Sequence, residues 1–428
     1  MAKVRAYGSD VTLRAAREST YGTAPTSGYY ALPFRSSDLG AVVPLEDDPL
    51  LGFGRNAQDP YRGSITDEGG FEIPFDLQTA GYWLTGLFGD SAAPTTPAAT
   101  GTITFSAQPA NNSTITLNSV VWTFVTGSPT GNQTQIGVDL EATLTALASD
   151  LNASVVAGLT VATYTASATA LTVTHDTAGT AGNAYTLAAG ATSNGTPSYT
   201  SLRGGGYLHI WESGGDDIPS RTYEFGHGKL VTPKFFRNVG TVLESLNFEM
   251  TPTGPANATV QAVAQGEEEF SASVDDTPTA FTDRTRFSQG FGSIKRDGVL
   301  LAGVTGGNFT FSNNLERVRT IRDDQKIEAA DPTVATATGQ ITLRFDGATL
   351  FAEARDGTPV TLQFGFRMPA GWYLNFDLFR VFLPKPKYAI PGVGGIEAAF
   401  DWRASFDESE ETLLRVSLVN NFATYVGL

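Results

Sequence analysis

Cysteine is absent from the 428 residues, which excludes disulfide frameworks, thiolate metal sites and cysteine nucleophiles. Histidine is nearly so: His175, His209 and His227 are the whole set, and no two stand at the i, i+4 spacing that puts paired ligands on one helical face. Charged residues make up only 17%, low against the roughly 25% of an average globular chain. Lys and Arg number 28 against 44 Asp and Glu, a net charge of −16, the wrong sign for a surface that grips phosphates. No stretch approaches the ~18 apolar residues of a membrane span, and the opening MAKVRAYGSDVTLRAA has no signal-peptide core, so cytoplasmic synthesis and no membrane partner are expected. There is no Gly-x-Ser-x-Gly elbow, and His227-Gly228-Lys229 lacks the flanking residues of a phosphate loop.

What the chain does hold is Gly, 46 residues of it, among many short β-branched runs. Arg62 and Arg203 bracket a stretch without a single Lys or Arg, within which SAAPTTPAAT (Ser91 to Thr100) and SNGTPSY (Ser193 to Tyr199) have linker composition. An inserted α+β domain is therefore expected at 100–203. Its Thr114 to Leu117 and Val120 to Val125 runs flank an Asn118-Ser119 turn, and Leu140, Leu144, Leu147 and Leu151 share one face of a helix that Asp139 caps. Outside the insert the pattern is mainly β. The exception is Leu77 to Phe88, whose spacing predicts one amphipathic helix with Trp83 on its flank. Asp297-Gly298, Asp346-Gly347 and Asp356-Gly357 read as hairpin turns.

An internal duplication is visible in outline. Phe34 to Thr66 and Gly307 to Thr342 each hold a strand, a charged corner, a polar loop and a Gly-x-Ile-Thr restart, Gly63-Ser64-Ile65-Thr66 in one and Gly339-Gln340-Ile341-Thr342 in the other. LESLNFEMTP before ANATVQAVA in the first half pairs, on this reading, with IEAAFDWRASF before TLLRVSLVNN in the second. The expected division is 1–99 and 204–289 for one domain and 290–428 for its repeat. Three acid clusters, Glu46-Asp47-Asp48, Glu212 with Asp216-Asp217, and Glu267-Glu268-Glu269, raise a carboxylate glycosidase as an alternative, but a solvated turn accounts for each. Asp216-Asp217 and Asp275-Asp276 lack calcium-loop spacing. No catalytic residue, cofactor or metal is expected.

Arg17-Glu18-Ser19-Thr20-Tyr21-Gly22-Thr23-Ala24-Pro25, the Tyr29 to Phe34 segment, the Gly63 restart and the helix closing on Phe88-Gly89-Asp90 resemble the opening of tail tube proteins of long-tailed, siphovirus-like bacteriophages. The resemblance covers Met1 to about Asp90 and about Gly204 to Leu428, and the insert is similar to a module that recurs in phage tail and baseplate proteins. It implies a mainly β, sandwich-or-barrel tube fold and a non-enzymatic virion protein that stacks as rings into a DNA conduit. The partners it implies are further copies of the chain, a tape measure protein, and tail terminator and distal tail proteins, with DNA only in transit. With a duplication, three chains would close a pseudo-sixfold ring; without one, six would. Two loops, Leu50 to Arg62 and Asp323 to Thr338, are expected to reach the adjacent ring, with Asp59, Tyr61, Arg62, Asp323, Asp324, Lys326 and Glu328 as contact candidates. The other readings are an extracellular glycan-binding module and a distal tail or baseplate ring component.

Overall fold

The computed structural model describes residues 4–49, 55–344, 349–386 and 396–428. Strands dominate, and outside the insert most belong to one connected hydrogen-bonded system. Among the first-half strands are β1 (Thr12–Arg17), β2 (Ser36–Ser37), β3 (Gly40–Val42), β4 (Leu45–Glu46), β5 (Tyr61–Arg62), β6 (Thr66–Pro74), β7 (Tyr207–Glu212), β8 (Arg221–His227), β9 (Lys234–Met250), β10 (Asn257–Ala264) and β11 (Gly266–Phe270), of which β4 and β5 pair only with each other. Among those of the second half are β12 (Gly292–Arg296), β13 (Val304–Ser312), β14 (Glu316–Val318), β15 (Ala329–Asp331), β16 (Thr336–Arg344), β17 (Val360–Arg367), β18 (Tyr373–Phe382), β19 (Glu397–Ala404) and β20 (Leu414–Asn420), of which β14 and β15 pair only with each other.

The two halves repeat one pairing order. β1 pairs with β8, β8 with β9, β9 with β11 and β10, β10 with β6, and β6 with β2 and β3. β12 pairs with β17, β17 with β18, β18 with β20 and β19, β19 with β16, and β16 with β13. Registers agree as well as order. A shift of 270 residues carries Ser36↔Glu72 onto Gly306↔Thr342, Val42↔Thr66 onto Ser312↔Thr336, and Glu46↔Tyr61 of the β4–β5 hairpin onto Glu316↔Asp331 of the β14–β15 hairpin. The same shift takes the helix Thr79–Phe88 to the start of the helix Thr349–Asp356. Beyond the helices a bulge recurs at one place: Arg221↔Thr241 slips to Tyr223↔Asn238, and Val360↔Val381 slips to Leu362↔Leu378.

These registers correct the motif alignment read from sequence. Gly69, not Gly63, occupies the place of Gly339, since the shift of 270 applies. Likewise ANATVQAVA (β10) matches the strand of IEAAFDWRASF (β19), not the strand after it. Short Gly-x-Ile-Thr runs carry no information on which neighbour they pair with, and register is set by the buried face and the turns.

The core lies between the β1–β8 ladder and the β6–β10 ladder and continues into the second half. Phe71 packs on Trp83 and Tyr223 at centroid distances of 5.1 and 4.9 Å, and Phe248 packs on Phe309 and Phe376 at 4.9 Å each. Such pairs add about 0.5–1.5 kcal/mol each beyond area burial. The expected helix forms over Thr79–Phe88, but every one of its residues is buried, so it has no polar face. Two glycines allow this: a Cβ on Gly81 would meet the Tyr425 ring at 2.3 Å, and one on Gly86 would meet Leu243 at 2.7 Å. Buried Asp76 starts the helix, accepting from the Thr79 amide at 2.7 Å.

The insert has its own core. Strands Thr100–Phe105, Ala162–Ala166, Ala170–His175 and Gly195–Pro197 form one sheet; Thr114–Leu117, Val120–Val125, Gln133–Gln135 and Leu187–Ala189 form another. The helix Leu140–Asn152 buries Leu144, Leu147 and Leu151, and the Asp139 carboxylate accepts from the Ala142 amide at 2.8 Å, the capping expected. Asn118-Ser119 and Asp297-Gly298 are two-residue turns with all four φ values positive. Asp356-Gly357 instead closes a helix, with Gly357 at φ +66 just past Asp356, a common helix ending. Asp346-Gly347 lies outside the described residues.

Asp67 is the buried acid of β6 with the clearest thermodynamic consequence. Burial raises its pKa to about 6, against the opposing hydrogen bonds from Asn238 and with Glu267 and Glu68 adding to the rise. Asn238 Nδ2 donates to both carboxylate oxygens at 3.1 and 3.0 Å, while Asn238 Oδ1 has no partner. A folded-state pKa above the unfolded value means the native state holds the proton more tightly. Stability should therefore fall as pH rises from about 4 to about 6 and then level off. Asp67→Asn, whose amide can donate to Asn238 Oδ1, should remove this slope and stabilise the chain at pH 8 by on the order of 2 kcal/mol. Denaturant unfolding at pH 4, 6 and 8 checks it; parallel pH profiles for the two proteins would contradict it.

Candidate functional site

Four strands from each half make a continuous layer: β2–β3, β6, β10 and the end of β9, then β13, β16, β19 and the end of β18. The halves meet where β9 pairs with β13, from Ser245↔Ser312 to Met250↔Gly307. One face of this layer is core, with Phe71, Ile73, Val260, Phe248, Phe309, Ile341 and Phe400 buried. Alternation puts a different set on the other face: Asn247, Thr259, Gln261, Asn308, Thr310, Thr338, Gln340 and Thr342. Its charges are Glu68, Glu72, Glu249, Glu397 and Asp401 against Arg344 and Arg403. It is a surface of small polar side chains with an acidic balance.

The layer has two ends. β13 has partners on both flanks, β9 and β16, whereas the equivalent β2–β3 has β6 on one flank and, among the described residues, no strand on the other. At the opposite end β18 ends at Phe382, and the positions that match Ser245–Met250 of β9, 385–390, run past the described residues. An open strand edge such as that of β2–β3 is a template for pairing with another chain.

The β14–β15 hairpin lies across the first half. Leu315, Ile327 and Ala330 form a small core with Val242 and Val263. Arg317 bridges Glu68 at 3.0 Å and Glu244 at 2.8 Å, and Lys326 reaches Glu268 at 3.5 Å. Of the contact candidates on this loop, Asp323 and Glu328 are exposed, Asp324 is chelated by Arg322, which holds its carboxyl well below the usual range, and Lys326 is engaged by the first half. On the β4–β5 hairpin, Asp59 and Arg62 are exposed, and Tyr61 Oη donates to Glu46 Oε2 at 2.7 Å. Residues 50–54 of the expected Leu50 to Arg62 loop lie outside the described residues. The fold thus places the two groups of candidates on equivalent hairpins and does not bring them together.

The acid clusters do not converge on a common cleft. Glu46 bonds Tyr61, Glu212 bridges Arg415, and Glu268 and Glu269 bridge Lys326 and Lys234. Among the described residues no three His, Asp or Glu side chains form a metal-ligand group. No described helix is long and apolar enough to cross a membrane.

Sequence reasoning missed Glu18 and Arg317. Glu18, 8% exposed, accepts from the Gly22 amide at 2.9 Å, Ser220 Oγ at 2.8 Å, Thr222 Oγ1 at 2.7 Å and the Gly240 amide at 2.8 Å. Gly22 is four residues on, but the other three partners lie some two hundred positions away, so no local pattern announces the set. The Gly240 end of that set is the bulge of β9, where φ is +60.

No curated protein matches the chain significantly. A family model described as phage tail tube protein matches residues 8–404, through the first half, the insert that interrupts it and most of the second half. The mainly β fold, the open layer and the two hairpins are therefore those of a structural component of the virion: the chain belongs to the phage tail tube protein family.

Proposed function

We propose that this chain polymerises as stacked rings into the tube of a long, siphovirus-like tail and that the polar, acidic face lines the channel through which DNA leaves the particle. In this reading 1–99 with 204–289 is one tube unit, 290–428 is a second, and 100–203 is a decoration held away from the channel. The observation that carries it is the β9–β13 junction, where the second unit completes the edge of the first. Applied again between chains, the same step joins the β18 end of one copy to the β2–β3 edge of the next, antiparallel and head to tail, so that three copies close a ring of six units. Heterologous stacking of such rings yields the tube, with tape measure protein inside during assembly and terminator and distal tail proteins at the ends.

The channel face suits transit. Neutral Thr, Asn and Gln offer only weak contacts to a sliding duplex, and Glu72, Glu249 and Asp401 repel phosphates across a Debye length of about 8 Å at physiological salt. Electron microscopy of the purified protein tests the reading: tubes of uniform diameter are expected, and a monomer that never assembles would oppose it. A chain lacking 100–203 should still form tubes, because the insert buries its own core and enters and leaves through the adjacent Thr100 and Arg203. Loss of every assembled form on that deletion, in a chain that remains folded by circular dichroism, would refute the decoration role.

A further inference from the structure

Two hairpins equivalent by register stand in opposite surroundings. Leu315 of β14–β15 is 4% exposed against Val242 and Val263, while Leu45, at the same place in β4–β5, is 67% exposed. Among the described residues, the surface equivalent to the Leu315 seat is also uncovered. The bulge-matched shift of 140 residues carries Val242↔Val263 onto Phe382↔Arg403, both accessible. Phe406, 55% exposed, stands where Gly266 lies beneath Lys326.

Charge sorts the two seats. Inside the chain two cations of the β14–β15 hairpin meet first-half acids, Arg317 on Glu68 and Glu244 and Lys326 on Glu268. The β4 side of the exposed hairpin is acidic, with Glu46, Asp47 and Asp48, and the uncovered surface presents Arg380, Lys385 and Arg403 beside Asp407 and Glu408, which stand where the first half has Glu267 and Glu268.

We infer that the β4–β5 hairpin is a clasp that seats on the β18–β19 end of a second copy of this chain in the same ring, burying Leu45 against Phe382 and setting Glu46, Asp47 and Asp48 against Arg380, Lys385 and Arg403. The inference rests on the tube reading and adds to it a direction: the hairpin expected to reach the next ring instead closes its own. It also supplies selectivity. Glu46, Asp47 and Asp48 placed on Glu68, Glu244 and Glu268, or Arg317 and Lys326 placed on Arg380, Lys385 and Arg403, would set like charges together, which disfavours clasping in the wrong phase.

The absence of cysteine makes the test clean. Leu45→Cys and Phe382→Cys are introduced together, tubes are assembled, and a short bis-maleimide is added. A contact within the ring gives covalent products that stop at three chains, while either single variant gives none above background. Products that climb past three, as a contact between rings would give, overturn the inference, and so do tubes that form normally and do not cross-link. Should the double variant misfold, the unaltered protein is treated with a carbodiimide and digested. A linkage between the Glu46-Asp47-Asp48 peptide and the Lys385 peptide, formed when tubes are treated and not when the dissociated chain is treated, supports the clasp; its absence from treated tubes refutes it. Failure of the unaltered protein to polymerise would instead fall on the tube reading.

Discussion

Exchanging Glu72, Glu249 and Asp401 together for lysine should leave tubes that assemble normally and release DNA roughly tenfold or more slowly at low salt. Each exchange turns a repelling carboxylate into a phosphate-binding ammonium, and counterion release from several such contacts strongly favours bound DNA. Assembly should survive because all three side chains stand on the solvent-facing side of their strands, away from the phenylalanine core. Among the described residues the ion pair lost is Glu72 with Arg35 at 3.0 Å, about half exposed, a pair of the kind worth about 0–1 kcal/mol. Glutamine and asparagine at the three sites should give a small effect, and the lysine effect should shrink as salt rises. Ejection at wild-type speed from lysine-bearing particles at low salt would show that this face does not line the channel.

Glu18→Ala should cost about 4 kcal/mol or more. Four donors, the Gly22 and Gly240 amides and the Ser220 and Thr222 hydroxyls, converge on this one carboxylate. Hydrogen bonds to a charged group contribute about 1.5–3 kcal/mol each, and donors left buried and unpaired are themselves costly. The residue ties the segment after β1 to the start of β8 and to the bulge of β9, so its loss loosens three elements at once. Glu18→Gln keeps one acceptor oxygen and should lose about half as much. Thermal unfolding of the unassembled chain reads both; for a domain of this size the alanine variant should melt about 10 °C lower. An alanine variant within a degree or two of wild type would mean that these bonds are replaced by water without cost.

Local features of this fold were legible because local chemistry makes them. The Leu140 to Leu151 spacing and the Asp139 cap specify the insert helix without help from other elements, and Asn118-Ser119 and Asp297-Gly298 tolerate the positive φ that two-residue turns demand. The repeat was legible as composition but not as register. Leu45-Glu46 and Leu315-Glu316 are the same dipeptide at equivalent positions, yet the eye is drawn to the Gly-x-Ile-Thr runs six residues out of step. Only the ladders decide between them. What sequence could not supply is anything that depends on the far side of the sheet. Examples are the burial of the helix Thr79–Phe88 beneath Tyr425, the four donors of Glu18, and Arg317 spanning two strands of the other half.

A reconstruction of the assembled tube tests the central claim most directly. Three chains per ring, with the in-chain β9–β13 junction and the between-chain β18 to β2–β3 junction alternating around one continuous barrel, and Glu72, Glu249 and Asp401 facing the channel, is the result this account predicts. Six chains per ring, or a ring joined through surfaces that leave the β2–β3 edge open to solvent, would contradict it.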